Sequence, residues 1–438
     1  MTSGALPSGL IARLAARTWA CVLLIFVISA ALRCAVAFWL PREIVWVDGH
    51  RYVAVAQNLL EGRGFGSLYD NRLSVPTQPL LIAGIELMFG QSVIALRLFF
   101  AALGAATCVL GYALAKELFD PVVALIAGAL LAIYPYYIYL FALFEYPQPF
   151  FIFAMGLAFL MLYRFVRTRH VPLLLLAGIC LGLGILSVPT ALVFVPILFV
   201  SLWFARVPQV PRIAAILLMA IAVPVGAWTL RNYIAYGQFI LVNQAAGANF
   251  WVANNATYFE FGKNAVVLGC APGYERTQYC EQSRDLNDRL AAANLSDRQA
   301  IAAYEAASWR AGWQFVRESP LRSAVLSVRK VLELWSPTPD ATTAGRANGG
   351  GLKDWISISS YTPVLLLAVV GIILLARQTR RLLPIYGYFL TFTAVYAVFL
   401  PTTRYRLPLD FFLIIFAAYA HKRGGEIITL RFRRSAHE

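Results

Sequence analysis

The sequence predicts an all-α protein that crosses a membrane many times, and three observations carry that prediction. Hydrophobic residues make up 60% of the 438 and charged residues only 13%, against about a quarter charged in soluble domains. Apolar runs of the roughly 17 to 25 residues that a bilayer-crossing helix needs recur along nearly the whole chain. The net charge of +15 comes mostly from short basic clusters between those runs. That placement is a topology signal and not a nucleic-acid surface, so no nucleic-acid partner is expected.

Taken in order, the expected spans are residues 18–40, 92–115, 121–140, 147–164, 171–187, 189–205, 212–229, 360–377, 383–400 and 407–421, ten in all. The first is too long for a signal peptide and lacks a small-residue cleavage site. Basic clusters then fall before span one (Arg13, Arg17) and after span four (Arg164, Arg167, Arg169). Others follow span six (Arg206, Arg212), span eight (Arg377, Arg380, Arg381) and span ten (Lys422, Arg423, Arg431, Arg433, Arg434). Simple alternation puts all of them on one side, which the positive-inside rule makes the cytoplasm. Both termini are therefore expected in the cytoplasm, with the chain in the cell's inner membrane.

The expected organisation is an N-terminal transmembrane module (1–229) containing an outer loop at 41–91, and a large, mostly helical periplasmic loop (230–359). C-terminal helices (360–421) and a basic tail (422–438) follow. The apolar run Pro79–Phe89 is too short to span, and a span there would reverse every later charge cluster. It is expected to be an interfacial or re-entrant helix.

The first outer loop opens on Trp46-Val47-Asp48-Gly49-His50-Arg51-Tyr52. Tyr52, Val55, Ala56 and Leu59 then fall on one helical face and Arg51, Gln57, Asn58 and Glu61 on the other, which predicts an amphipathic helix on the membrane. Asp48 at its start is either a helix cap or a general base at the mouth of the bundle. Gly62 to Gly66 reads as a tight turn, and His50 has no second metal ligand at a useful spacing.

Charge at membrane depth is costly, so the few charged residues near span ends are candidates for function. Glu145 lies in the turn between spans three and four, Arg97 just inside span two, and Arg231-Asn232 at the end of span seven. Arg404-Tyr405-Arg406 precede span ten, with Asp410 one turn later. All come to the outer face together with Asp48. Guanidinium groups converging there suit a lipid phosphate; singly, each also fits interfacial anchoring, and Glu145 also fits a structural ion pair.

The large loop carries 13 Lys+Arg against 11 Asp+Glu over residues 231–359, an ordinary soluble surface. Ser296 is expected to cap a helix with Ile301, Tyr304, Ala311 and Phe315 on one stripe, interrupted by the small Ser308. A second helix is expected from Leu321 to Trp335, ended by Ser336-Pro337. Small residues between Thr338 and Gly351 read as a linker. Cys21, Cys34, Cys108 and Cys180 sit in apolar runs as packing residues, and Cys270 and Cys280 are a candidate disulfide if the loop faces an oxidising compartment. Two sequons, at Asn255 and Asn294, matter only in a secretory pathway.

Five stretches carry a family resemblance: Asp48-Gly49-His50-Arg51-Tyr52 with Leu60 to Phe65; Tyr134-Pro135 through Glu145; Trp228 to Tyr233 with Gly247 to Asn255; Lys330 through Trp335-Ser336-Pro337; and Arg404-Tyr405-Arg406-Leu407-Pro408. In their order and placement they resemble the polyprenyl-phosphate-sugar-dependent glycosyltransferases of the GT-C fold, in the bacterial branch related to protein O-mannosyltransferases and lipid A aminoarabinose transferases. The resemblance implies transfer of a hexose or pentose from a polyprenyl-phosphate donor to a glycan, lipid or protein acceptor. It implies Asp48 as catalytic base and Glu145 as a second acidic position. Arg404 and Arg406 would hold carrier phosphate, and Arg231-Asn232, Tyr405, Arg97 and Tyr52 would complete the substrate-binding set. Many relatives have a second acid directly after the first, where this chain has Gly49, so no metal or other cofactor is expected. A polytopic lipid or glycolipid transporter is the alternative, against which stands the absence of an internal repeat.

Overall fold

In the computed structural model, which describes residues 18–44, 46–66, 75–267, 276–293, 295–339 and 351–435, the expected apolar runs are helical, and no strand occurs among the described residues. The first span is α1 (Thr18–Trp39). Val47–Leu60 (α2) and Thr77–Phe89 (α3) form the first outer loop and pack against each other. Tyr52, Val55 and Ala56 on the inner face of α2 are buried as its periodicity predicts. Helix α3, of 13 residues, rises only about 20 Å and does not cross a bilayer.

Helix α4 (Val93–Leu118) starts where the Ser92 hydroxyl accepts from Ala95 N at 3.3 Å, and α5 (Pro121–Ile133) where Asp120 accepts from Val122 N at 2.9 Å. Span three was expected to be continuous, but Pro135 pushes Tyr134 into an extended conformation and starts a separate short helix, α6 (Pro135–Leu140). The break frees the last carbonyls of α5. Arg33, fully buried in α1, donates to Leu131 O and Ala132 O at 3.2 Å each and neutralises that helix end.

The remaining spans are α7 (Gln148–Thr168), α8 (Val171–Ser187), α9 (Phe194–Phe204, entered by a 3₁₀ turn at Pro189–Val193) and α10 (Val210–Tyr236). Among the described residues, six short or medium helices follow in the large segment expected to lie outside: α11 (Ala246–Ala253), α12 (Ala256–Phe261), α13 (Lys263–Val267), α14 (Gln278–Ala292), α15 (Asp297–Glu318) and α16 (Pro320–Leu334). The chain closes with α17 (Leu352–Leu374), α18 (Thr379–Val398) and α19 (Thr403–Ser435). Among the described residues, six helices qualify as spans unaided by length and composition. The others are short, broken, or in α19 burdened by charge, and take their places through packing.

Residues 406–420 of α19 are buried on every side, as expected of a helix at the centre of a bundle. Apolar side chains of α1, α10 and α17, such as Trp19, Val223 and Ile373, are exposed and form a lipid-facing rim. Polar contacts sort the helix ends into two groups. At one end Lys116 meets Thr18 at 2.6 Å, Arg167 meets Glu117 at 2.6 Å, Arg381 Nη2 donates to Glu117 O at 2.6 Å, and Lys422 meets Asp120 at 2.8 Å. At the other end Asp48 meets Arg404 at 3.2 Å and Ser187 donates to Pro147 O at 3.0 Å. The grouping is the one that alternating spans require, and the chain is a multi-pass membrane protein.

In the outer segment Ser296 and Gln299 form a reciprocal capping box, as the sequence predicts for α15. Ser308 and Gly312 are buried, so the small residues are the contact at which α15 meets α11. Cys280 is disulfide-bonded. Cys270, its expected partner, Asn294 of the second sequon, and most of the expected linker lie outside the described residues.

Candidate active site

Asp48 occupies the first turn of α2 but does not cap it; Trp46 is the N-cap residue and makes no side-chain cap. The carboxylate turns toward α19, where Oδ2 accepts from Arg404 Nη1 at 3.2 Å, while Oδ1 lies 3.8 Å from Arg51 Nη1. Aromatic faces fix the Arg404 guanidinium: the Tyr146 ring lies at 5.3 Å and the Tyr405 ring at 5.1 Å. Tyr405 itself stacks on Tyr396 with centroids 4.7 Å apart. Tyr52 lines the same spot, and burial, followed by the charge of Asp48, pushes its phenol up, which keeps it a neutral donor. The pair is reachable, with 36% of the Asp48 side chain and 21% of the Arg404 side chain exposed.

Glu145 lies fully buried immediately beneath. A Cβ built on Gly49 would fall 2.7 Å from Ile44 Cγ2, 2.9 Å from Glu145 Cβ and closer still to Glu145 Cγ. The space of a second acid after Asp48 is thus filled by Glu145 reaching in from the turn before α7. Arg97 interacts electrostatically with Glu145 and braces the start of the loop by donating to Leu40 O at 3.3 Å and Glu43 O at 3.0 Å. Asp48, Tyr52, Arg97, Glu145, Arg404 and Tyr405 therefore share one neighbourhood.

Two expected phosphate ligands lie elsewhere. Arg406 is fully buried, 3.3 Å from an equally buried Asp410, whose other oxygen accepts from Tyr134 at 2.9 Å. It also donates to Ser336 O and lies 3.5 Å from the Tyr361 ring centroid, so it pins the end of the outer segment to the bundle. Arg231 stands among Phe65, Trp228 and Tyr236 at 4.8, 5.2 and 4.7 Å. Asn232 donates to Ile240 O at 3.0 Å. Both tie the first outer loop and the reversal after α10 to the end of that helix.

Lys330 and Asn254, buried together under α18, stand in stretches that carry the resemblance but were given no site role from the sequence, and Arg33 was not singled out. For Arg33 the signal was present, a lone arginine in the middle of an apolar run. Among the described residues no group of three or more His, Cys, Asp or Glu is placed to hold a metal ion. Both oxygens of Asp48 face guanidinium groups, so its immediate donor set does not fit a divalent cation.

Residues 74–228 match the sequence model of the dolichyl-phosphate-mannose-protein mannosyltransferase family. Among solved structures, the archaeal oligosaccharyltransferase AglB from Archaeoglobus fulgidus, in complex with an inhibitory peptide and a dolichol-phosphate, aligns with TM-score 0.55 and 17% identity over 95% of this chain and 52% of that chain. The chain has the GT-C fold. The apo form of the Archaeoglobus fulgidus oligosaccharyltransferase gives TM-score 0.53 and 17% identity over 94% of this chain and 52% of that one. The chain therefore spans about half the length of the oligosaccharyltransferase chains it matches. ArnT from Cupriavidus metallidurans bound to undecaprenyl phosphate gives TM-score 0.42 and 14% identity over 94% of this chain and 79% of that chain, a likeness too loose to bear on the fold. No curated protein matches significantly in sequence.

Proposed function

We propose that this GT-C chain is a glycosyltransferase that moves a sugar from a polyprenyl-phosphate carrier to an acceptor hydroxyl on the periplasmic face. The observation that carries the proposal is the partly exposed Asp48–Arg404 pair at the end of the bundle away from the basic clusters. Arg404 is the phosphate ligand, because its guanidinium is reachable, braced by two tyrosine rings and charged in any surroundings. When phosphate takes Arg404, the guanidinium exchanges one anion for another and the Asp48 carboxylate is released to serve as base. The acceptor oxygen then attacks the anomeric carbon as its proton passes to Asp48. The bond from that carbon to the carrier oxygen breaks, and the electron pair leaves with the phosphate, where Arg404 stabilises it. Glu145, with Arg97, supports the floor on which α2 presents Asp48.

The reaction is a single displacement and inverts the anomeric centre. In this reading both termini lie in the cytoplasm, which the basic clusters at the opposite end support. The test is incubation of membranes holding the protein with a panel of radiolabelled polyprenyl-phosphate sugars, followed by determination of the product's anomeric configuration. Transfer with inversion supports the proposal; retention, or no transfer from any carrier-linked sugar, contradicts it.

A further inference from the structure

Arg404 reaches Asp48 at the end of a short strap, Phe399 to Thr402, that joins α18 to α19. The outer segment holds the beginning of that strap. The Val398 carbonyl, left over at the end of α18, accepts from Asn254 Nδ2 at 2.9 Å and from Lys330 Nζ at 3.1 Å. Lys330 also donates to Asn254 Oδ1 at 2.9 Å, so the three groups close on one another. The next strap residue, Phe399, meets the Phe250 ring at 6.1 Å, and Leu400 packs against the cluster around Trp251 and Leu326. A few residues on, Thr402 and Thr403 are buried and the chain enters α19 with Arg404.

A fully buried lysine is rare unless it is paired, and a methionine would fill the same space without the charge. The carboxylate beside it, Glu333, is already shared by Arg329 at 2.9 Å, Tyr258 at 2.7 Å and Lys263 at 4.0 Å. The ammonium is instead directed at an amide and a main-chain carbonyl, the one place where it fixes the strap.

We infer that Lys330 is a positioning residue for the transfer site: with Asn254 it clamps the Val398 carbonyl and so sets where the strap delivers Arg404 to Asp48. The inference rests on the proposed role of the Asp48–Arg404 pair. Burial, only partly offset by Glu333, lowers the Lys330 pKa to about 7. The groups facing it are Glu333 on its own helix, the Tyr258 ring at 5.9 Å from α12, and the neutral Asn254 and Val398. Below that pH the lysine is an ammonium with three donors; above it the proton is lost and its hydrogen bond to Val398 weakens. Transfer through the clamp therefore declines as pH rises through about 7.

The experiment is hydrogen–deuterium exchange on the purified full-length protein, with donor kinetics measured in parallel, for the parent, Lys330→Met, Lys330→Arg and Asn254→Asp. Asn254→Asp keeps an oxygen for Lys330 but loses the amide donor to Val398 O and to Phe250 O, a carbonyl of the adjoining helix α11, and it serves where Lys330→Met does not fold. In Lys330→Met, exchange over residues 399–404 accelerates roughly tenfold or more while α7 is unchanged. The donor KM rises about tenfold, the decline near neutral pH disappears, and Lys330→Arg restores part of the protection. Unchanged exchange over 399–404 in both Lys330→Met and Asn254→Asp overturns the inference, as does lowered thermal stability with donor KM and pH profile unmoved. If the parent itself transfers no sugar, the proposed function fails, and the exchange data still decide whether the clamp exists.

Discussion

Gly49 offers a perturbation small enough to be interpreted. It lies in α2 next to Asp48, and an added Cβ would meet Ile44 Cγ2 at 2.7 Å and Glu145 Cβ at 2.9 Å, where ordinary contact begins at 3.4 Å. These atoms lie near the backbone and cannot swing away, so α2 or the turn before α7 has to give by roughly 0.5 to 1 Å. Without the clash, Gly→Ala inside a helix would stabilise by about 1 kcal/mol; overpacking costs about 1–3 kcal/mol. The expected balance for Gly49→Ala is between no change and about 2 kcal/mol of destabilisation. Activity should suffer more, because a shift of ~1 Å in a reacting group can cost ~100-fold. The assay is sugar transfer in detergent by equally loaded parent and variant, with Gly84→Ala as control, since nothing lies within 4 Å of a Cβ there. A loss of roughly 10- to 100-fold in Gly49→Ala, with Gly84→Ala unaffected, is the predicted result. A Gly49→Ala enzyme that is more stable than the parent and fully active would refute the packing of Glu145 against Asp48's helix as a determinant of the site.

Three other outcomes are expected. Arg404→Lys keeps the charge but loses the planar fork and its two tyrosine faces, so donor KM should rise about tenfold, and Arg404→Met about a hundredfold; equal KM in all three would remove the phosphate from this residue. Arg406→Leu leaves Asp410 buried and uncompensated at a cost of about 3–5 kcal/mol, read as a fall in detergent melting temperature, and pairing it with Asp410→Leu should recover most of the loss; an unshifted melting temperature in the single variant would contradict the buried pair. Prolonged EDTA treatment should leave transfer within about twofold, since both Asp48 oxygens face guanidinium groups; loss restored by added Mg²⁺ or Mn²⁺ would show that a metal displaces them.

The fold was largely legible because a membrane restricts the alternatives. Apolar runs have to become helices, and the basic clusters fix their alternation, which the contacts among Lys116, Glu117, Arg167, Arg381 and Lys422 reproduce. The break at Tyr134-Pro135 was visible as a proline but hidden within an unbroken apolar run. The site was legible in part. Asp48, Glu145 and Arg404 converge from three distant stretches, which local sequence cannot demand. The opposite fate of Arg406 follows from spacing: two residues apart on one helix, Arg404 and Arg406 do not share a face, whereas Arg406 and Asp410 at i, i+4 do. Lys330 opens one of the resembling stretches but was given no role, because its burial depends on α18 and on Asn254, elements far from it in sequence.

Asp48 as the proton acceptor is the central claim of the proposed mechanism. The decisive measurement is the initial rate of transfer from a radiolabelled polyprenyl-phosphate sugar in membranes holding the parent or Asp48→Asn at equal levels. Asparagine preserves the shape and a hydrogen-bonding oxygen for Arg404 but cannot take a proton, so a fall of about a hundredfold or more is predicted, with donor KM changed far less. Transfer undiminished in Asp48→Asn would contradict the account and leave Asp48 a structural partner of Arg404.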